Sequence, residues 1–129
     1  MFHIEFYKDK DGKSEIIDFL DELQQKGETS KTERVNRMKI LAHMQALEEN
    51  GTRIGQPFVK HIEGSLWELR PLKNRIFFFY WKDDTFVLLH HFVKKSQKTP
   101  EKEIEQARLK QKDFLKREGK KDEKRNQDI

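Results

Sequence analysis

Arg70 and Arg75 bracket the four residues Pro71-Leu-Lys-Asn74. If those four form a turn between antiparallel strands, the two guanidiniums stand opposite each other, where like charges repel unless an anion lies between them. This pair is therefore the strongest functional signal in the chain, and a phosphate is the ligand it suits. The competing arrangement is an ion-pair network in which Glu68 and a neighbouring carboxylate neutralise both arginines. Further on, His90 offers an imidazole whose proton moves near neutral pH. Lys94, Lys95 and Lys98 stand just before Thr99-Pro100-Glu101, the mark of a helix start, where backbone amides also favour an anion. Eight of the aromatic residues lie between Trp67 and Phe92, and the odd-numbered rings of Phe77 to Trp81 are possible platforms for unstacked bases. Other chemistry is not indicated. There is no Gly-rich phosphate loop and no nucleophile elbow, and adjacent His90 and His91 would point to opposite faces of a strand, so neither a metal nor a cofactor is expected.

The charge is distributed unevenly. The chain of 129 residues carries 27 Lys or Arg against 23 Asp or Glu, a formal net charge of only +4 at a charged fraction of 39%. Residues 1 to 52 are net −3, residues 53 to 82 net +4, residues 83 to 93 net −2 and residues 94 to 129 net +5. The positive field thus begins where the rings are densest and runs to the C-terminus. The acidic first stretch is a candidate docking surface for a partner. With 34% hydrophobic residues the core suffices for one small domain, here 1–117, followed by a polar tail over 118–129 expected to be disordered. The absence of cysteine fits a reducing compartment. No apolar run reaches the roughly 20 residues of a membrane span, and the N-terminus lacks a secretory signal layout. A soluble cytoplasmic protein with no membrane contact is expected.

The elements that must position these side chains are legible in the periodicity. Phe2-His-Ile-Glu-Phe6 alternates as an edge strand does. Ser14 caps a helix whose apolar stripe is Ile16, Phe19, Leu20 and Leu23, with Gly27 as its stop. Ser30-Lys-Thr-Glu33 opens a second helix with Val35, Met38, Leu41 and Ala42 as its stripe, Met44 and Leu47 at the border, and Asn50-Gly51 as its end. From Phe58 the period changes to 2. Strands are expected over Leu66 to Arg70, Arg75 to Trp81 and Thr85 to Val93, with an additional short one over Phe58 to Ile62 and a tight turn at Asp83-Asp84. Simple registers then pair Ile76 with His91, Phe77 with His90 and Arg70 with Arg75. One sheet face would carry Trp67, Leu69, Ile76, Phe78, Val87, Leu89 and Val93 as core. The other would gather Glu68, Arg70, Arg75, Phe77, Phe79, His90, Phe92 and Lys94, a set ill suited to a cover of helix, unless a β-bulge shifts part of it. A third helix follows Thr99, with Ile104, Ala107, Phe114 and Leu115 as its modest stripe.

Three blocks together are distinctive: Pro57-x-x-Lys60-x-x-x-Gly64-x-Leu66-Trp-Glu-Leu-Arg70, then Arg75-x-Phe77-x-x-Tyr80, then Leu88-Leu-His90-x-Phe92-x-Lys94-Lys95-x-x-Lys98-Thr-Pro100 with Glu103-Ile104-x-x-Ala107. Over roughly Phe2 to Leu115 the chain resembles the phage-derived, HigB-like branch of the RelE/HigB/ParE toxins, the toxin halves of type II toxin–antitoxin pairs. The resemblance implies an α+β fold, a small twisted and mainly antiparallel sheet with an N-terminal helical hairpin and a C-terminal helix. It implies a ribosome-dependent mRNA endoribonuclease in which the substrate 2′-hydroxyl attacks its adjacent phosphate. It also implies a HigA-like helix-turn-helix antitoxin and a higher-order complex. Carried onto this sequence, Arg70 and Arg75 take the phosphate, His90 or Lys95 the proton transfer, and Lys60, Phe77, Lys94 and Lys98 the RNA. The chain departs from RelE-like members that use a tyrosine in the C-terminal segment, having none after Tyr80. The alternative within the same fold is a ParE-like toxin that binds DNA gyrase and cuts no RNA.

Overall fold

The computed structural model describes residues 1–127. Strand β1 (His3–Phe6) leads into a hairpin of two helices, α1 (Glu15–Gly27) and α2 (Lys31–Asn50). A short 3-10 turn (Gly51–Ile54) precedes β2 (Val59–Glu63), β3 (Leu66–Leu69), β4 (Asn74–Tyr80) and β5 (Thr85–Val93), and α3 (Glu101–Gln127) closes the chain. The five strands form one open sheet in the order β1-β5-β4-β3-β2, antiparallel except where β1 runs parallel to β5. This is an α+β fold with the expected order of elements. No helix among the described residues is long and apolar enough to cross a membrane.

Local chemistry explains the hairpin. Ser14 accepts from the Ile17 amide and Ser30 from the Glu33 amide, each at a helix start. Gly27 is not the left-handed stop expected of it. It is the last residue of α1, and a β-carbon there would lie 3.2 Å from the Arg34 Cα, so its role is the close crossing of α1 and α2. The stripe of α2 also differs from expectation. Ile40, Met44 and Leu47 are its buried residues, whereas Val35, Met38, Leu41 and Ala42 face solvent. Both sets repeat at helical spacing, and the crossing angle set at Gly27 and Arg34 decides which one meets the sheet.

The sheet is covered on both faces. Ile16, Leu20, Leu23, Ile40 and Leu47 of the hairpin pack with Leu69, Ile76, Phe78, Phe86 and Leu88. On the other side Ile104, Ala107 and Phe114 of α3 pack with Phe77, Phe79, Val87 and Leu89. The second face was expected to lack a helical cover, and the rings of Phe77 and Phe79 are what make one possible. Six consecutive residues of β4, Asn74 to Phe79, are buried, as a strand between two layers requires. The predicted pairs Ile76 with His91 and Phe77 with His90 hold, but a bulge then shifts the register so that Phe78 faces Leu88 and Tyr80 faces Phe86. Phe86 and Leu88 therefore serve the hairpin core, and Val87 and Leu89 the α3 core, the reverse of a straight alternation.

The tail expected to be disordered from Glu118 is a continuation of α3 through Gln127, with residues 128–129 outside the described residues. Lys82 on the β4–β5 turn bonds Asp122 at 3.3 Å, and Arg117 binds Asp113 and reaches back to the Lys8 carbonyl. Such ties, with a run of strong helix formers, extend the helix beyond its apolar stripe.

A chain of amide contacts locks α2 to the sheet. His91 stacks on Phe19 at 4.1 Å and bonds the Asn74 side-chain carbonyl, while the Asn74 amide donates to Asn36 at 2.7 Å. Burial, and secondarily His90 beside it, depresses the His91 imidazole from 6.5 to about 4. The unfolded chain therefore takes up a proton on this group before the native one does, and stability falls as pH drops from about 6.5 towards 4. The expected loss is roughly 3 kcal/mol at completion. Chemical denaturation at stepped pH should show it, and His91→Gln should flatten the profile in that window.

Candidate functional site

Two turns and one loop bring the basic residues together. Lys60 on β2, Arg70 after β3, Arg75 on β4 and the loop residues Lys94, Lys95 and Lys98 line one cleft, with Thr99 and Pro100 at the start of α3 closing it and Phe92 forming part of its wall. Six of the eight predicted site residues thus converge. The register shows why. Lys60, Glu68, Phe77 and His90 are successive partners across β2, β3, β4 and β5 and form one row. The next row holds Arg75 opposite Phe92, with Arg70 beyond the end of β3 on the same hairpin.

Glu68 is the residue whose weight the sequence understated. It is 2% exposed, yet its Oε1 lies 3.5 Å from the Arg70 Nε and 3.7 Å from the Arg75 Nε, and Thr99 donates to its other oxygen at 3.4 Å. The neutralising carboxylate weighed against an anion site is therefore present, directly between the two arginines. Burial raises the pKa of Glu68 even though Arg75, Arg70, the Thr99 hydroxyl and Lys60 all pull the other way. Burial likewise lowers that of Arg75, and the Arg70 charge adds to the effect while Glu68 opposes it. Arg75 is anchored by donating through Nη1 to the Leu72 and Asn74 carbonyls at 2.9 and 2.8 Å. The Nε of Arg70 is buried without a hydrogen-bond partner among the described residues. One carboxylate thus stands against two arginines and four lysines, and the cleft keeps a positive excess that attracts an anion.

Two predicted site residues lie elsewhere. Phe77 was expected to contact RNA, but it is fully buried under α3. Stacking a base would require a surface that this ring does not have. His90 was placed with the arginines as a catalytic group, and it does share their sheet face, but the Phe77 ring separates it from Glu68 by two strand spacings, about 10 Å. Its Nε2 donates to Glu103 at 2.5 Å, and its Nδ1 meets the Lys110 ammonium, which also binds Glu15 at 3.0 Å. This second polar cluster, in which His90 is buried and Glu15 exposed, ties α3 to β5 and to the start of α1. A simple alternation put His90 on the correct face, but it carried no information about a helix 13 residues on that claims the imidazole. Among the described residues no cluster of three or more His, Asp or Glu could hold a metal ion.

Replacing Glu68 by Gln keeps the shape but leaves the buried Arg75 and the partly buried Arg70 facing each other without a counter-charge. The expected cost is about 3 kcal/mol. Inorganic phosphate should restore more stability to Glu68→Gln than to the original chain, since an anion then takes the place of the lost carboxylate. Thermal melts with and without phosphate measure both effects.

The model of the family described as phage derived protein Gp49-like (DUF891) matches residues 18–112, a span that includes every residue of the cleft. No curated protein matches the chain.

Proposed function

The chain belongs to the phage-derived Gp49-like family, a family associated with RelE/HigB-like toxins, and from that membership and the cationic cleft we propose that it is the toxin of a type II toxin–antitoxin pair, a HigB-like ribosome-dependent mRNA endoribonuclease. The observation that carries the reading is the convergence of Lys60, Arg70, Arg75, Lys94, Lys95 and Lys98 on one cleft. A phosphate diester lying there has its charge met by Arg70 and Arg75, which strengthen their hold as the pentacoordinate phosphorus gathers charge. The 2′-hydroxyl oxygen bonds to phosphorus as its proton passes to Lys95, the base in this reading. The bond to the 5′ oxygen breaks, and the Lys95 ammonium returns the proton to that leaving oxygen, giving a 2′,3′-cyclic phosphate and a free 5′-hydroxyl. Lys60, Lys94 and Lys98 hold the flanking phosphates. His90, engaged by Glu103 and Lys110, contributes by seating α3. The inhibitor in this reading is a helix-turn-helix antitoxin encoded beside the toxin.

Primer extension on ribosome-bound mRNA in a translation assay tests this. Cleavage by the original chain is expected, with Arg70→Ala and Arg75→Ala each lowering it by about 100-fold or more and relieving growth arrest. Lys95→Ala should lower the cleavage rate with little change in RNA affinity. Inhibition of DNA gyrase without any cut in mRNA would replace this reading with the ParE-like one.

A further inference from the structure

The helical hairpin presents apolar side chains to solvent. Val35, Met38, Leu41 and Ala42 of α2 face solvent, Met38 at 63% exposure. Beside Val35 the turn after β3 lifts Leu72 out of the sheet, 53% exposed and at φ 57. A leucine in the left-handed region is strained by about 1 to 3 kcal/mol, and one so placed gains nothing from burial to offset it. Val35, Leu72 and the exposed Val93 border a groove of about 680 Å³, with Lys31 and Lys73 against Glu33 at its rim.

This groove is joined to the cleft through the backbone. The Leu72 carbonyl accepts from Arg75. Asn74, whose carbonyl accepts the same guanidinium nitrogen, bonds through its side chain to Asn36 on the groove wall. The Lys73 carbonyl accepts from the Lys94 amide at 2.7 Å.

We propose that the groove between α2 and the Pro71–Asn74 turn docks an amphipathic helix with acidic flanks from a protein partner, and that its seating acts on Arg75 through that turn. Aliphatic side chains spaced along a groove are what a helix with apolar residues at i, i+3 and i+4 fills. Nucleic acid has no use for them. A second copy of this chain would bring together two rims that each carry two lysines and one glutamate, a net like-charge contact, whereas acidic flanks pair with the lysines. That the partner is the antitoxin rests on the function proposed above; the surface itself does not.

The test uses the full chain and the antitoxin encoded beside it. Calorimetry should show Val35→Asp and Val93→Asp binding at least 10-fold more weakly, and Lys31→Glu more weakly at low salt. Hydrogen exchange of the complex should protect residues 31–36 and 71–74. In cells the two aspartate variants should remain toxic but escape neutralisation. Unchanged affinity in both variants, or protection confined to the β1 edge or to the cleft, overturns the proposal. So does self-association of the chain alone that these substitutions abolish, which would make a second copy the occupant. If the original chain cuts no mRNA, the nuclease reading fails while calorimetry and exchange still judge the docking surface.

Discussion

A carboxylate buried between two guanidiniums is the constraint around which the rest is arranged. Taking Glu68 and Arg75 out of water, and Arg70 partly so, costs each hydration, and one negative charge cannot satisfy two positive ones. The surroundings supply what is missing. Two turn carbonyls take up Arg75, and Thr99 gives its hydroxyl to Glu68. The residual positive charge looks outward, where lysines of the β5–α3 loop add to it. The start of α3 is therefore set by the same carboxylate that holds the arginines, so the site and the fold share one support.

The rows of the sheet then sort the remaining polar groups. Glu68 and His90 are both buried on the α3 face, but Phe77 lies between them and excludes water from the space they would share. Each finds its own partners: arginines and a hydroxyl for one, Glu103 and Lys110 for the other. An aromatic partition of this kind lets two ionised clusters sit on one strand face without direct coupling. One reads as chemistry and the other as a fastening for the helix that roofs it.

Most of the frame was legible in the sequence because it follows from local rules. Ser14 and Ser30 as caps, the paired Asp83-Asp84 turn and the opposition of Phe77 to His90 each depend on a few adjacent residues. What escaped depends on contacts between distant elements. Whether α2 buries Val35 and Met38 or Ile40 and Met44 is decided by where Gly27 lets α1 cross. The bulge at Phe77 and Phe78 leaves no mark in a pattern where every residue is apolar. Phe77 reads equally well as an exposed platform or a buried wall until α3 is known to lie over it. Of the site, the cationic residues were visible by type and spacing, and Glu68 was visible as a neighbour but not as the centre.

The parallel pairing of β1 with β5 has a bearing on the order in which the parts of the molecule form. The sheet begins with residues made first, yet His3 pairs with Thr85 and Phe6 with Leu88, so the first strand waits for the last. Cleft residues span Lys60 to Lys98, and their roof is α3. Contacts so remote in the chain form late, because the closure of long loops precedes any gain from them. An emerging chain therefore has its helical hairpin, and with it the exposed face of α2, well before it has a working cleft. On a ribosome, that order leaves an interval in which the hairpin is open to a binding partner before the cleft has been assembled.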